Sequence, residues 1–160
     1  TTDVGGLDSM IWSENLADSG AETELAWVNT VLIDELHLTT VPYTSLIKYD
    51  TPENNTLWKA TDAYLSGIWA IDFQTTPEYF FVKIGKIPHV SGPDHFLYRN
   101  EADFAWGVIN LLALGADVED IYKISHVGEI GNIPQVPEPS TILLLGLGLI
   151  GTTLVRRLKK

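Results

Sequence analysis

The final 25 residues, VPEPSTILLLGLGLIGTTLVRRLKK, constrain this chain more than any other stretch. They run in order from a Pro-containing polar break through an apolar run to a basic cluster. Residues 141–155 carry no charge, and as a helix these 15 residues rise about 22 Å at ~1.5 Å per residue. A hydrocarbon core is about 30 Å thick. Ser140 at one end, and Leu158 with snorkelling Arg and Lys stems at the other, bring the span close to what a locally thinned bilayer accepts. Arg156, Arg157, Lys159 and Lys160 predict a stop-transfer cluster that stays cytoplasmic, so the preceding domain faces outward. Apolar runs of this length are usually buried core helices. This one is apolar on every face and runs directly into RRLKK.

Gly146, Gly148 and Gly151 also match the G-x-G-x-x-G spacing of a dinucleotide-binding turn. That turn needs a βαβ unit around it and an acidic residue about 20 positions further on for the ribose. Nine residues follow Gly151 and none is acidic, so these glycines read as thinning an anchor helix. No cofactor is expected.

Before Pro137, six basic residues stand against twenty acidic ones. Such a body repels phosphate backbones, which excludes nucleic acid as a partner. With a charged fraction of 19% and 10% aromatics, the chain has the composition of a folded domain. It contains no cysteine, so disulfides, zinc–thiolate sites and thiol catalysis are excluded. The opening TTDVGG lacks a starting Met, a basic segment and an apolar segment, as expected of a numbering that begins after a removed signal peptide.

Between residues 41 and 131, short apolar and aromatic runs (YTSLIKYD, IWAIDF, YFFVKIG, HFLYRN, WGVINLLAL, IYKISHVGEI) alternate with turn-forming stretches such as TPENN and LGAD. This punctuation predicts a mainly β domain, an antiparallel β-sandwich or jelly-roll-like fold. Within the last run, Tyr122, Ile124, His126 and Gly128 are expected on one face, with Lys123, Ser125 and Val127 on the other. Ser19-Gly20-Ala21-Glu22 has the form of a capping box. It precedes Ala21, Leu25, Val28 and Leu32 at helical spacing, which predicts one N-terminal amphipathic helix over 21–34. An edge strand is the alternative, favoured by Val28, Thr30 and Val31.

Val136, Pro137, Glu138, Pro139 and Ser140, followed by the glycine-containing apolar run and closed by Arg156 and Arg157, resemble the PEP-CTERM sorting signal of bacterial exported proteins. The resemblance implies that Pro137, Glu138, Pro139 and Ser140 are the recognition motif, 141–155 the anchor and 156–160 the basic tail. It further implies processing by an exosortase, a membrane-embedded cysteine transpeptidase, and association with exopolysaccharide or biofilm. The body, with SGAETELAWVNTVL ahead of runs like YFFVKIG and ISHVGEIG, loosely resembles a subset of these sorted proteins, implying a β-rich secreted domain. The domain division is therefore 1–134 for the exported body and 135–160 for the sorting signal.

Chemistry within the body is sparse. The pairs Asp34-Glu35 and Glu119-Asp120 are adjacent in sequence, whereas glycosidases need carboxyls facing each other across a cleft, so a solvated face accounts for them. His89, Asp94 and His95 lie in a Pro/Gly-containing loop that could gather metal ligands, although a loop histidine is more often simply exposed. Ser91 beside them has no nucleophile-elbow context. Asp50, Glu53, Asn54 and Asn55 offer oxygens of the kind calcium takes, yet turn formation explains them without an ion. Of the five tryptophans, Trp69 and Trp106 read as core, and Trp58, beside ENNTL and Lys59, is the candidate for an exposed glycan platform.

These readings predict a non-catalytic surface or extracellular-matrix protein. It starts as a membrane-anchored precursor with its domain outside the cytoplasm, and its partners are an exosortase, the membrane through 141–155 and, further, exopolysaccharide or like subunits. The alternatives are a carbohydrate-binding module for exopolysaccharide and, third, a secreted hydrolase.

Overall fold

In the computed structural model, the described residues are 3–51, 55–60, 67–85, 92–101, 105–115, 118 and 121–131. They form one α-helix, α1 (Ala21–Thr30), and eight strands: β1 (Ser9–Glu14), β2 (Ser45–Asp50), β3 (Trp58–Ala60), β4 (Ile68–Asp72), β5 (Tyr79–Ile84), β6 (His95–Arg99), β7 (Trp106–Asn110) and β8 (Ile124–Gly131). A five-stranded antiparallel sheet has the order β1-β6-β5-β8-β2, and a three-stranded one the order β3-β4-β7. The expectation of a mainly β domain with antiparallel sheets and one helix holds. A jelly roll, by contrast, sets eight strands into two Greek keys; here five strands oppose three.

Helix, large sheet and small sheet stack as three layers. Trp58, Ile71 and Ile109 of the small sheet meet Phe80, Val82, Phe96, Tyr98 and Val127 of the large one in a single apolar cluster. On the opposite face of the large sheet, Trp27, Val28, Val31 and Leu32 cover Tyr79, Phe81, Leu97 and Ile130. The central strands are therefore buried on both faces, which is why YFFVKI lacks a clean period-two alternation. The outer face of the small sheet carries a minor cluster of Ala70, Trp106 and Val108, packed by Val4 and Ile68.

The structure corrects several sequence expectations. Trp58 is only 6% exposed: it pairs with Ile71 across the β3–β4 ladder and points into the inter-sheet core, while Lys59 and Ala60 are exposed. It is not an exposed platform. The capping box does not form either. Gly20 holds the N-cap position without a side-chain bond, and the Ser19 carbonyl accepts from Lys48 Nζ instead.

The helix continues beyond Thr30 as a π-turn over Val31–Glu35, closed by Leu36 N–H donating to the Val31 carbonyl at 2.9 Å, so the helical span agrees with 21–34. His37 then takes φ 53°, and Leu38 N–H returns to the Leu32 carbonyl at 2.8 Å. The buried stripe of the helix is Glu24, Trp27 and Val28, followed by Val31 and Leu32, with Ala21 exposed and Leu25 only half-buried.

In β8 the register shifts between the pairs Lys83–His126 and Ile84–Ile124. This bulge turns Ile124 to the inter-sheet core while His126 faces the helix, so the two do not share a face. Tyr122 lies in the preceding 3-10 turn and is 67% exposed.

The sorting motif 137–140, the run 141–155 and the tail 156–160 lie outside the described residues. Among the described residues no helix is long and apolar enough to cross a membrane.

Gly128 sits where backbone and side chains must approach closely. A Cβ there would meet Leu46 Cδ1 at 2.7 Å and collide with the Phe81 ring. Gly128→Ala is expected to lower stability by about 1–3 kcal/mol through overpacking. Urea denaturation of the purified protein checks this; an unchanged midpoint would show that Phe81 repacks freely.

Candidate functional site

Five residues occupy one transverse row of the large sheet. Glu14 of β1 pairs with His95 of β6, His95 with Lys83 of β5, Lys83 with His126 of β8, and His126 with Asp50 of β2. Directly paired residues project to the same side of a sheet, so this row faces α1. Helical periodicity sets Glu24 over it, since Glu24 lies four residues before Val28 and eight before Leu32 on the inward stripe.

The result is a buried polar centre. Glu24 and His95 are fully buried and His126 nearly so. Glu24 Oε1 lies 2.6 Å from His126 Nε2 and 3.1 Å from His95 Nε2, and Glu24 Oε2 pairs with Lys48 Nζ at 2.7 Å. His95 Nδ1 meets Asp94 Oδ1 at 2.6 Å, and the same oxygen accepts from Leu16 N–H at 3.1 Å. His126 Nδ1 is 3.3 Å from Ser125 Oγ. Trp27 and Phe81 close the centre with ring contacts to His95 at 5.6 and 6.0 Å. Burial alone would raise the Glu24 pKa, but hydrogen bonds from His126, His95 and Lys48 outweigh it and hold the carboxyl at about 2. Glu24 is therefore an anion inside the fold, balanced by the groups aimed at it.

A second buried carboxylate, Glu129, lies on the other face of β8. It accepts from Gln74 N–H at 2.8 Å, Thr75 N–H at 3.2 Å, Thr75 Oγ1 at 2.6 Å and the Tyr49 hydroxyl. Burial, and then the bond to Glu129, pushes the Tyr49 phenol well above its usual range, and burial beside Glu78 pushes Tyr43 up to about 12.

Three surface depressions flank these centres. One of about 470 Å³ is lined by Trp12, Trp27, Glu14 and Glu35 beside the helix. Glu14 Oε2 there accepts from Trp27 Nε1 at 3.0 Å and Trp12 Nε1 at 3.4 Å. Another, of about 430 Å³, runs from Tyr43 to Glu129, and the third, of about 560 Å³, lies around Arg99.

The structure brings together only part of what the sequence singled out. Asp94 and His95 belong to the buried centre; His95 opens β6 with no exposure, so it is not the solvated loop histidine expected. His89, Ser91, Glu53, Asn54, Glu119 and Asp120 lie outside the described residues. Asp50 is exposed at the end of β2, and Asn55 starts a 3-10 turn. Asp34 and Glu35 are exposed, as a solvated pair should be. Sequence reasoning missed Glu24, Lys48 and His126. The available signal was spacing: Glu24 already stood on the i, i+4, i+8 line with Val28 and Leu32.

Comparison with known proteins bears on the tail. A family model described as the PEP-CTERM protein-sorting motif matches residues 135–160, so the chain carries this motif. The motif implies exosortase processing and an exported, membrane-anchored precursor that proceeds to the surface. No curated protein and no solved structure matches the chain.

Two outcomes are expected from these networks. Glu24→Ala leaves His95 and His126 buried, and the half-buried Lys48 beside them, without their shared carboxylate and should cost about 3–5 kcal/mol, measured by chemical denaturation; a loss within experimental error would mean that water replaces the carboxylate. At high pH the sign is equally definite. Tyr43 and Tyr49 have folded pKa values raised above 10, so their contribution is complete below pH 10 and is lost as pH rises through the folded values. Urea midpoints should fall as pH rises from about 10 to about 12, and less steeply in Tyr49→Phe. Equal slopes for the variant and the parent would remove Tyr49 from the account.

Proposed function

We propose that this chain, carrying the PEP-CTERM sorting motif at 135–160, is a non-catalytic component of the cell surface or extracellular matrix that associates with exopolysaccharide or biofilm. The motif match is the observation that carries the reading. An exosortase acts on Pro137–Ser140, with 141–155 as the anchor until processing and Arg156, Arg157, Lys159 and Lys160 as the stop-transfer cluster. The non-catalytic part is supported by the state of the acidic groups. Glu24 and Glu129 are buried and ringed by donors, whereas a general acid or base needs a free face toward substrate.

The test is to express the precursor with a signal peptide in hosts with and without an exosortase, and to determine the C-terminal mass in membrane and medium fractions. A shortened species ending near residues 137–140, only with the enzyme, is expected. Glu138→Ala or Pro139→Ala should leave full-length protein in the membrane, and unchanged release of both variants would overturn the assignment.

A second reading, a carbohydrate-binding module, draws on the groove of Trp12, Trp27, Glu14 and Glu35 rather than on Trp58. The half-buried Trp12 indole beside the Glu14 and Glu35 carboxylates suits the apolar face and hydroxyls of a sugar, with the buried Trp27 forming the groove's floor. Retention on immobilised exopolysaccharide that is lost in folded Trp12→Ala supports this reading; absence of retention by the parent protein removes it.

A further inference from the structure

We propose that Glu24, His95 and His126 form a buried site for one divalent transition-metal ion of the zinc class, pinning α1 to β6 and β8. Their donor atoms, two imidazole nitrogens and one carboxylate oxygen, all lie within 4.8 Å of one another, and all three residues are buried. Both Nε2 atoms converge on Glu24 Oε1, at 2.6 and 3.1 Å. A tetrahedral ion with metal–ligand bonds of about 2.0–2.1 Å places neighbouring donors roughly 3.3 Å apart, so shifts of under about 1 Å admit it.

The surroundings of each donor point the same way. His95 holds Asp94 Oδ1 through Nδ1 at 2.6 Å, His126 has Ser125 Oγ beside Nδ1 at 3.3 Å, and Glu24 keeps Lys48 Nζ on its other oxygen at 2.7 Å. Metal-ligating imidazoles and carboxylates are oriented in this manner, the carboxylate–histidine pair above all. Asp94 and Glu24 face the two ring nitrogens of His95; with Nδ1–H given to Asp94, Nε2 either donates a second proton to Glu24 Oε1 or turns its lone pair to an ion shared with that oxygen. The donor set selects the class: two nitrogens out of three disfavour calcium and magnesium, and a chain without cysteine offers no thiolate. Three protein donors leave one position for water.

The experiment uses the full chain in detergent, stripped with a chelator and then incubated with Zn²⁺ or Co²⁺. One zinc per chain retained through gel filtration, a zinc-dependent rise in Tm reversed by chelator, and a visible ligand-field spectrum with Co²⁺ are expected. His126→Ala should abolish retention. Asp94→Asn, which contacts no ion, should weaken it roughly 10- to 100-fold, and His37→Ala, altering an exposed histidine, should leave it unchanged. No retained zinc and no Co²⁺ spectrum in the parent protein would overturn the site and leave a proton in the metal's place. Equal affinity in the parent and Asp94→Asn would overturn it as well, by placing the ion elsewhere. Should His126→Ala fail to fold, the Asp94 and His37 variants decide.

Discussion

The packing of the helix on the large sheet depends on one anion. Glu24 has no contact with solvent, and a carboxylate taken out of water costs several kcal/mol unless its lone pairs are matched. Here they are matched from three strands, by His95 of β6, His126 of β8 and Lys48 of β2. Those strands become adjacent to the helix only in the native sheet order. A slip of one residue in β5, β6 or β8 would turn the row of His95, Lys83 and His126 toward the inter-sheet core and bring Phe80, Val82 and Phe96 under the carboxylate. Buried ion pairs contribute little net stability, so the consequence of this arrangement is a single permitted register.

The same sheet carries its second constraint on the opposite face. Glu129 gathers the Tyr49 hydroxyl of β2 and two backbone N–H groups from the segment after β4, which leads into β5. Each side of β8 thus presents one carboxylate, Glu129 directly and Glu24 through His126. Bulk fills the remainder: Phe80 stacks on Tyr98 at 5.1 Å, and Trp27 stands edge-on to Phe81 at 5.9 Å. At the edge of the small sheet, Asp8 substitutes for a further strand. Its backbone N–H donates to the Val108 carbonyl at 2.9 Å, and its carboxylate accepts from Val108 N–H at 2.6 Å, so β7 is not left as an open template.

The layers, the helical span and the tail were legible from short-range patterns, because turn residues punctuate the strands and the apolar run lies between prolines and arginines. What escaped were the features decided across the sheet. Trp58 follows ENNTL and precedes Lys59, so it looks exposed, yet in the three-residue strand Lys59 merely takes the alternate face. Ile124 and His126 share parity in sequence, and only a bulge separates them. Glu24 reads as a favourable first-turn acid, whereas its partners lie 71 and 102 residues away. Asp94 and His95 could be suspected together as metal ligands because they are adjacent; nothing local joins them to His126.

The fold and the tail meet at β8. This strand is paired on both sides, with β5 and with β2, and it ends at Gly131. Five residues separate Gly131 from Pro137, so the body stands at most about 20 Å from the recognition triplet. Drawing β8 out of the sheet would have to break two antiparallel ladders at once and displace His126 from Glu24. On the proposed reading, this makes the polar centre the element that keeps the body folded while its anchor is exchanged. His126 lies toward the end of β8 remote from Gly131, so its bond to Glu24 ties down the strand on the far side of the sheet from the tail's attachment.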